Sequence, residues 1–186
     1  MALWLKTAGV FTGAVVLMVV AAPLGCHYIN DQMQLGVVPR DLHVHRILYE
    51  KTYVQGFGLP GDNDVGMYVF ELPEQAARAI ASGGPSYVED LNAFPDKQPW
   101  YGSWEETPAI PQVWCCRDFT TAIVPPVAIR DFLDRSGHSV TPEEDRILSD
   151  IDRALTTPGN YYANGKGSSR LILAPAQRRA YYVYNG

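Results

Sequence analysis

Two histidines, His43 and His45, have a spacing that could support metal binding. They lie in segment 41–54, whose β-branched and aromatic residues are typical of a strand. Alternate side chains of a strand share one face, so both imidazoles would be available to a divalent metal such as zinc. Two ligands do not complete a zinc site, and the neighbouring sequence supplies no others. We therefore expect surface or partner-contact histidines and predict no cofactor.

Cys115 and Cys116 are the other candidates for reactive side chains. A thiolate there would lie beside Arg117, and His138 could act as its base. The flanking tryptophan and phenylalanine favour buried, structural cysteines instead. The chain has no Gly-x-Ser-x-Gly motif, and the GKGSS segment at 165–169 lacks the earlier glycine of a phosphate-binding loop. We therefore predict no catalytic residue.

The proline-rich segment 92–112 contains a cluster of aromatic and acidic side chains. Its prolines make regular structure improbable and indicate a long irregular loop. Aromatic side chains in such a loop either pin it to the core or offer contact area to a partner. Carboxylates beside them would steer a basic partner. The predicted contact residues are Trp100, Tyr101, Trp104, Glu105 and Glu106.

An uncharged, apolar run of 19 residues covers positions 8–26. As a helix it would be about 28 Å long, enough to cross a hydrocarbon core. Lys6 and the amino terminus precede the run, which favours a cytoplasmic N-terminus and an extracytoplasmic remainder. The end of the run, Leu24 to Cys26, resembles a bacterial lipobox, in which Cys26 would carry a lipid. We predict an uncleaved signal-anchor, with a lipoprotein and a freely secreted product as the alternatives.

Charge is distributed unevenly along the rest of the chain. Residues 27–152 carry nine basic and 20 acidic side chains, a net charge of −11, whereas residues 153–186 carry five basic side chains and no acidic one. We expect the basic segment to dock on the acidic body or to point into water. An acidic domain would be repelled by a polyanion, so we do not expect nucleic acid as a partner.

Residues 27–186 are numerous enough for one domain, and their patterning predicts its elements. TPEE at 141–144 predicts a helix with a capping box, and two glycines at 83–84 would separate two other helices. Strands are predicted at 41–54 and 66–72, and RLILA and RAYYVY are predicted to form a closing hairpin. Four helices are predicted: one from Pro73 to Ser82, a short one after Pro85, one within 124–137 and one from Thr141 to about Leu155. The predicted fold class is α+β, a small antiparallel sheet with three to four helices packed on it.

These features favour a binding protein over an enzyme. The sequence predicts a membrane-anchored accessory protein in the periplasm or another extracytoplasmic compartment, whose partners are the bilayer and a membrane-resident protein. A subunit of a membrane complex and an immunity-type inhibitor are both compatible with this prediction. A tethered envelope hydrolase that depends on a metal or a cysteine is the alternative.

Overall fold

A computed structural model describes residues 34–55, 63–91, 101–109, 129, 140–165 and 168–185. The predicted anchor at 8–26, Trp100, Cys115 and Cys116 lie outside the described residues, as does most of the predicted helix within 124–137. No helix among the described residues is long and apolar enough to cross a membrane. Contacts divide the chain into two units, Met1–Gly36 and Val37–Gly186, and every element described below belongs to the second.

Within the described residues, six antiparallel strands form one sheet in the order β1-β2-β6-β5-β4-β3. The strands predicted within 41–54 and 66–72 correspond to β1 and β2, which pair with each other, and the predicted closing hairpin is confirmed. The sheet and its helices confirm the α+β class. The strands are β1 (Ile47–Gln55), β2 (Asn63–Glu71), β3 (Glu105–Glu106), β4 (Tyr161–Asn164), β5 (Ser168–Ala174) and β6 (Arg179–Asn185).

Helix α1 spans Glu74–Asp90 and is interrupted at Gly84. Gly84 has φ 59° and ψ −148°, a conformation open almost exclusively to glycine, so the helix breaks there as the sequence predicted. Ala76, Ala77 and Ile80 form the buried stripe before the break. A Cβ at Gly84 would lie 3.7 Å from the Tyr161 hydroxyl, which places α1 against one face of the sheet.

Helix α2 spans Pro142–Thr156 and begins with the predicted capping box at Thr141. A short 3₁₀ turn, Arg40–Leu42, precedes β1, and another, Pro175–Gln177, joins β5 to β6. Beyond the end of α2, the buried Asn160 amide donates hydrogen bonds to the carbonyls of Ala154 (2.8 Å) and Thr157 (2.9 Å). These bonds satisfy acceptors that the end of a helix leaves open.

The two helices cover opposite faces of the sheet, which we call the α1 face and the α2 face. Strand residues alternate between the faces, as the pleat requires. The α2 face contributes the apolar cluster with α2: Tyr53, Val65, Met67, Val69, Tyr162, Ile172, Tyr181 and Val183 pack against Leu148, Ile151, Ala154 and Leu155. The buried strand residues that alternate with these point to the α1 face, and they include Phe70, Leu171 and Leu173.

Candidate functional site: a tyrosine patch on the sheet

The predicted metal candidates do not share a strand face. His43 follows the first 3₁₀ turn with φ 48°, and its backbone N–H donates to the Arg40 carbonyl at 2.9 Å. His45 is also exposed and precedes β1, which begins at Ile47. The prediction that both lie on a strand is therefore wrong: His43 ends the 3₁₀ turn in the left-handed conformation, and the extended strand begins only at Ile47, after both histidines. Among the described residues, no group of three His, Cys, Asp or Glu side chains could hold a metal ion.

Two of the predicted contact residues, Tyr101 and Trp104, are buried, with 4% and 7% of their surface exposed. The Tyr101 hydroxyl donates to the Val37 carbonyl, and burial raises the pKa of Tyr101. The two rings lie 6.1 Å apart, and the Trp104 backbone N–H donates to Glu89 of α1 at 3.0 Å. Both rings thus fasten their segment to the domain and offer little area to a partner in this conformation.

Glu105 and Glu106 form the short edge strand β3 and point to opposite faces. Glu105 accepts a hydrogen bond from the Tyr162 hydroxyl at 2.5 Å, and the Arg170 guanidinium lies 5.0 Å from the centre of the Tyr162 ring. Burial lowers the pKa of Arg170 to about 10, so this guanidinium stays charged near neutrality. Glu106 is exposed on the α1 face and remains a candidate contact residue.

Glu144 lies at the centre of a group of polar side chains from β1 and α2. Its carboxylate is fully buried and accepts from the Tyr53 hydroxyl (2.7 Å) and the Thr141 backbone N–H (2.6 Å). The Lys51 ammonium lies 3.3 Å from the same carboxylate. Burial alone would raise the pKa of Glu144, but these hydrogen bonds outweigh it and lower the pKa to about 2.

This carboxylate is a structural group rather than an acid–base catalyst. A general acid or base works best with a pKa near the operating pH, and a pKa of about 2 leaves Glu144 ionised and weakly basic near neutrality. The neighbouring Tyr49 is also unsuited to proton transfer, because burial and the Glu144 charge raise its pKa to about 12. The group instead joins the first turn of α2 to β1.

Three half-buried tyrosines, Tyr68, Tyr182 and Tyr184, lie together on the α1 face and form what we call the tyrosine patch. Their ring centres are 5.7 to 6.3 Å apart. The angles between ring planes are only 16° to 27°. The three rings therefore present nearly parallel faces rather than the edge-to-face packing common among buried aromatic side chains.

The pairing of β2 with β6 builds this patch. Tyr68 lies directly opposite Tyr182, while Tyr184 lies opposite Gly66. A Cβ at Gly66 would be 2.5 Å from the Tyr184 hydroxyl, so the glycine leaves room for the ring to lie across β2. Beyond β2, the Tyr184 hydroxyl and the Thr52 hydroxyl of β1 share a hydrogen bond of 2.9 Å. Cross-strand contacts of this kind hold the patch in place.

Comparison of the chain with protein-family models, curated proteins and solved structures gave no match. Function is therefore inferred from the described side chains. Of the groups above, the Glu144 cluster and the Tyr101–Trp104 pair are buried and stabilise the fold. The tyrosine patch combines aromatic area, hydroxyl groups and partial exposure, which makes it the candidate functional site.

Acidic and basic side chains of the described strands are distributed unequally between the two faces of the sheet. Strand positions of the α1 face, within the described residues, include Glu50 and Glu106 but no lysine or arginine. Glu50 is exposed and lies directly opposite Tyr68. Lys51 and Arg170 fall on the α2 face. Glu106 is on β3, three strands away from β6 in the sheet.

The patch could not be recognised from the sequence alone. The alternation in RAYYVY does indicate that Tyr182 and Tyr184 share one face of a strand. Their contact with Tyr68, however, depends on the pairing of β2 with β6, two strands far apart in the sequence. Tyr68 can be grouped with Tyr182 and Tyr184 only once the pairing of their strands is known.

Proposed function

We propose that this protein is a non-enzymatic, membrane-tethered extracytoplasmic binding protein that contacts a protein partner through the tyrosine patch. The observation that supports the proposal is the group of three half-buried, nearly parallel rings on the α1 face. Tyrosine supplies a large contact area at a small cost in side-chain entropy and is enriched among interface hot spots. A subunit of a membrane complex and an immunity-type inhibitor would both use such a surface.

The proposed tether is the apolar run at 8–26, retained as an uncleaved anchor. If Cys26 is modified instead, the tether is the lipid attached to that cysteine. Tethering confines the search for a partner to a thin layer beside the membrane, so a weak interface can be well occupied. In this proposal the N-terminus is cytoplasmic and the domain is periplasmic or otherwise extracytoplasmic. The partner is resident in the same membrane, and nucleic acid is not a partner.

The alternative function, an envelope hydrolase, has no supporting observation among the described residues. His43 and His45 lie on an irregular segment rather than a strand, and the buried Glu144 has a pKa of about 2. Cys115 and Cys116 lie outside the described residues, so their predicted structural role stays a prediction. Trp100 likewise stays a predicted contact residue.

Substitution of two patch residues tests the proposal. The double variant Tyr68→Thr/Tyr182→Thr removes two rings, while threonine keeps a high strand propensity. Full-length protein would be cross-linked in its native membrane and then purified in detergent with its partner. We expect the yield of the stoichiometric complex to fall by about tenfold or more, because truncated hot spots cost about 2 kcal/mol or more each.

Tyr87→Thr is the matched control, since Tyr87 is a half-buried tyrosine on α1 outside the patch. It should leave the yield of complex unchanged. Circular dichroism and urea unfolding must show that the double variant is folded. A folded double variant that retains its partner at the original yield would place the interface elsewhere and contradict the proposal.

A further inference from the structure

The segment from Tyr101 to Glu106, which we call the strap, borders the tyrosine patch. The Tyr101 ring packs beside Gly165, where a Cβ would lie only 3.1 Å from the ring. Burial raises the pKa of Tyr101, and the electrostatic interaction with Tyr182 raises it further. The strap therefore lies next to the Tyr182 side of the patch.

One polar group of the strap is buried without a partner. Within the described residues, the indole N–H of Trp104 has no hydrogen-bond acceptor, although the side chain is buried. Such a donor loses its hydrogen bond to water and gains no replacement, which costs free energy. Burial of the ring therefore stabilises the closed strap less than its apolar area alone would indicate.

The strap is held less firmly than the residue that follows it. Its strand β3 pairs with β4 at two positions, and the Trp104 backbone N–H donates at 3.0 Å to Glu89, an exposed residue of α1. Water can replace an exposed acceptor of this kind at small cost. Thr107, by contrast, is buried, and its N–H and hydroxyl both bond to the Asn160 backbone. The strap can therefore separate from the domain while Thr107 stays fixed.

We infer that partner binding opens the strap and transfers the Trp104 ring from the domain to the partner. This inference rests on the proposed function and adds a regulated contact beside the patch. In the open state the indole N–H can donate to a carbonyl of the partner, and tryptophan is enriched among interface hot spots. The closed strap withholds Trp104, so the apparent affinity for the partner is reduced to the fraction of molecules that are open.

Two substitutions that leave Trp104 in place should loosen the strap. Glu89→Ala removes the acceptor of the Trp104 backbone N–H, and Tyr101→Phe removes the hydroxyl that donates to the Val37 carbonyl. Hydrogen exchange of the full-length protein in detergent, read by mass spectrometry, measures how often the strap opens.

We expect exchange at 101–106 to be about fivefold faster in each variant, the effect of losing one net hydrogen bond. Exchange at 107–109 should not change. Asp90→Ala, at the exposed neighbouring position of α1, is the matched control and should leave exchange in both segments unchanged.

The same variants test the link to the partner. The probe is the stoichiometric complex that is cross-linked in the native membrane and purified in detergent, with the protein expressed at a level that leaves complex formation unsaturated. The yield of complex should rise about fivefold for Glu89→Ala and Tyr101→Phe, because the apparent affinity increases with the open fraction. Trp104→Phe keeps an aromatic ring but lacks the N–H, so its yield should fall by about fivefold.

Two results would overturn the inference. In the first, residues 101–106 exchange at the same rate as the core strands, so the strap opens only when the whole domain unfolds. In the second, exchange at 101–106 becomes faster in the loosened variants without any gain in complex.

Failure of the proposed function is a separate outcome, shown by a Tyr68→Thr/Tyr182→Thr variant that keeps its partner. If that variant loses its partner while the loosened variants form no more complex than the unsubstituted protein, the patch is the interface and only the inference about the strap is wrong.

Discussion

At the scale of single residues, Glu144 performs two structural tasks. It completes the capping box by accepting the Thr141 backbone N–H, and its own N–H donates to the Thr141 hydroxyl at 3.2 Å. The same carboxylate meets Tyr53 and Lys51 of β1. The capping role follows from TPEE, but the partners on β1 could not be predicted, because they depend on how α2 is placed on the sheet.

Glu144→Gln should lower the free energy of unfolding at pH 7 by about 2 kcal/mol or more. The substitution removes the buried negative charge that pairs with Lys51, and it weakens the cap of α2. Urea unfolding of the full chain in detergent, followed by tryptophan fluorescence, measures this change. Glu143→Gln, at the exposed neighbouring position, is the control and should change stability by about 0.5 kcal/mol or less.

The pH dependence of stability provides a second measurement on the same variants. The pKa of Glu144 in the folded protein, about 2, is below its ordinary value of 4.5. Its contribution to stability is therefore complete above about pH 4.5 and is lost as the pH falls toward 2. As the pH falls from about 4.5 toward 2, the free energy of unfolding should decrease more for the unsubstituted protein than for the Glu144→Gln variant. Parallel pH profiles for the two proteins would show that the carboxylate does not stabilise the fold.

At the scale of secondary structure, patterns within one segment were predictable and pairings between distant segments were not. The capping box at Thr141, the break at Gly84 and the hairpin of β5 and β6 all depend on neighbouring residues. Strand β4 was missed because its four residues are too few to show alternation. The position of β6 between β2 and β5 was missed because it depends on contacts across most of the chain.

Gly84→Ala should destabilise the protein by about 1 to 3 kcal/mol, because alanine adopts the backbone angles of this break only with strain. Gly102→Ala is the control: Gly102 is exposed, and a Cβ there would lie at ordinary contact distance, 3.7 Å from the Asn164 carbonyl. Thermal unfolding of both variants tests the prediction. Equal melting temperatures for the two would show that the break in α1 tolerates a side chain.

At the scale of the whole molecule, the basic segment was expected to dock on the acidic body or to point into water, and a contact of the first kind is present. Arg178 lies 3.5 Å from Glu71, whereas the ion pair of Arg153 with Asp150 (3.1 Å) joins residues three positions apart in α2. These pairs are largely exposed and contribute little stability each.

The nature of the tether is a prediction about the whole molecule. We expect the protein purified from the membrane fraction to have the intact mass of the full chain, because the run at 8–26 is apolar and its cleavage signals are weak. Mass spectrometry of the detergent extract tests this. Loss of the first 25 residues with a diacylglyceryl group on Cys26 would establish a lipoprotein, and a soluble product without the run would contradict tethering.

The central place of β6 has a consequence for how the protein is made. Strand β6 follows the other five described strands in the chain, yet it lies between β2 and β5. During synthesis the β1–β2 hairpin emerges early, but the edge of β2 has no partner until residues 179–185 have appeared. The pairing of β2 with β6 therefore forms only after β1 to β5 and residues 179–185 have all emerged, and long-range pairing of this kind folds slowly.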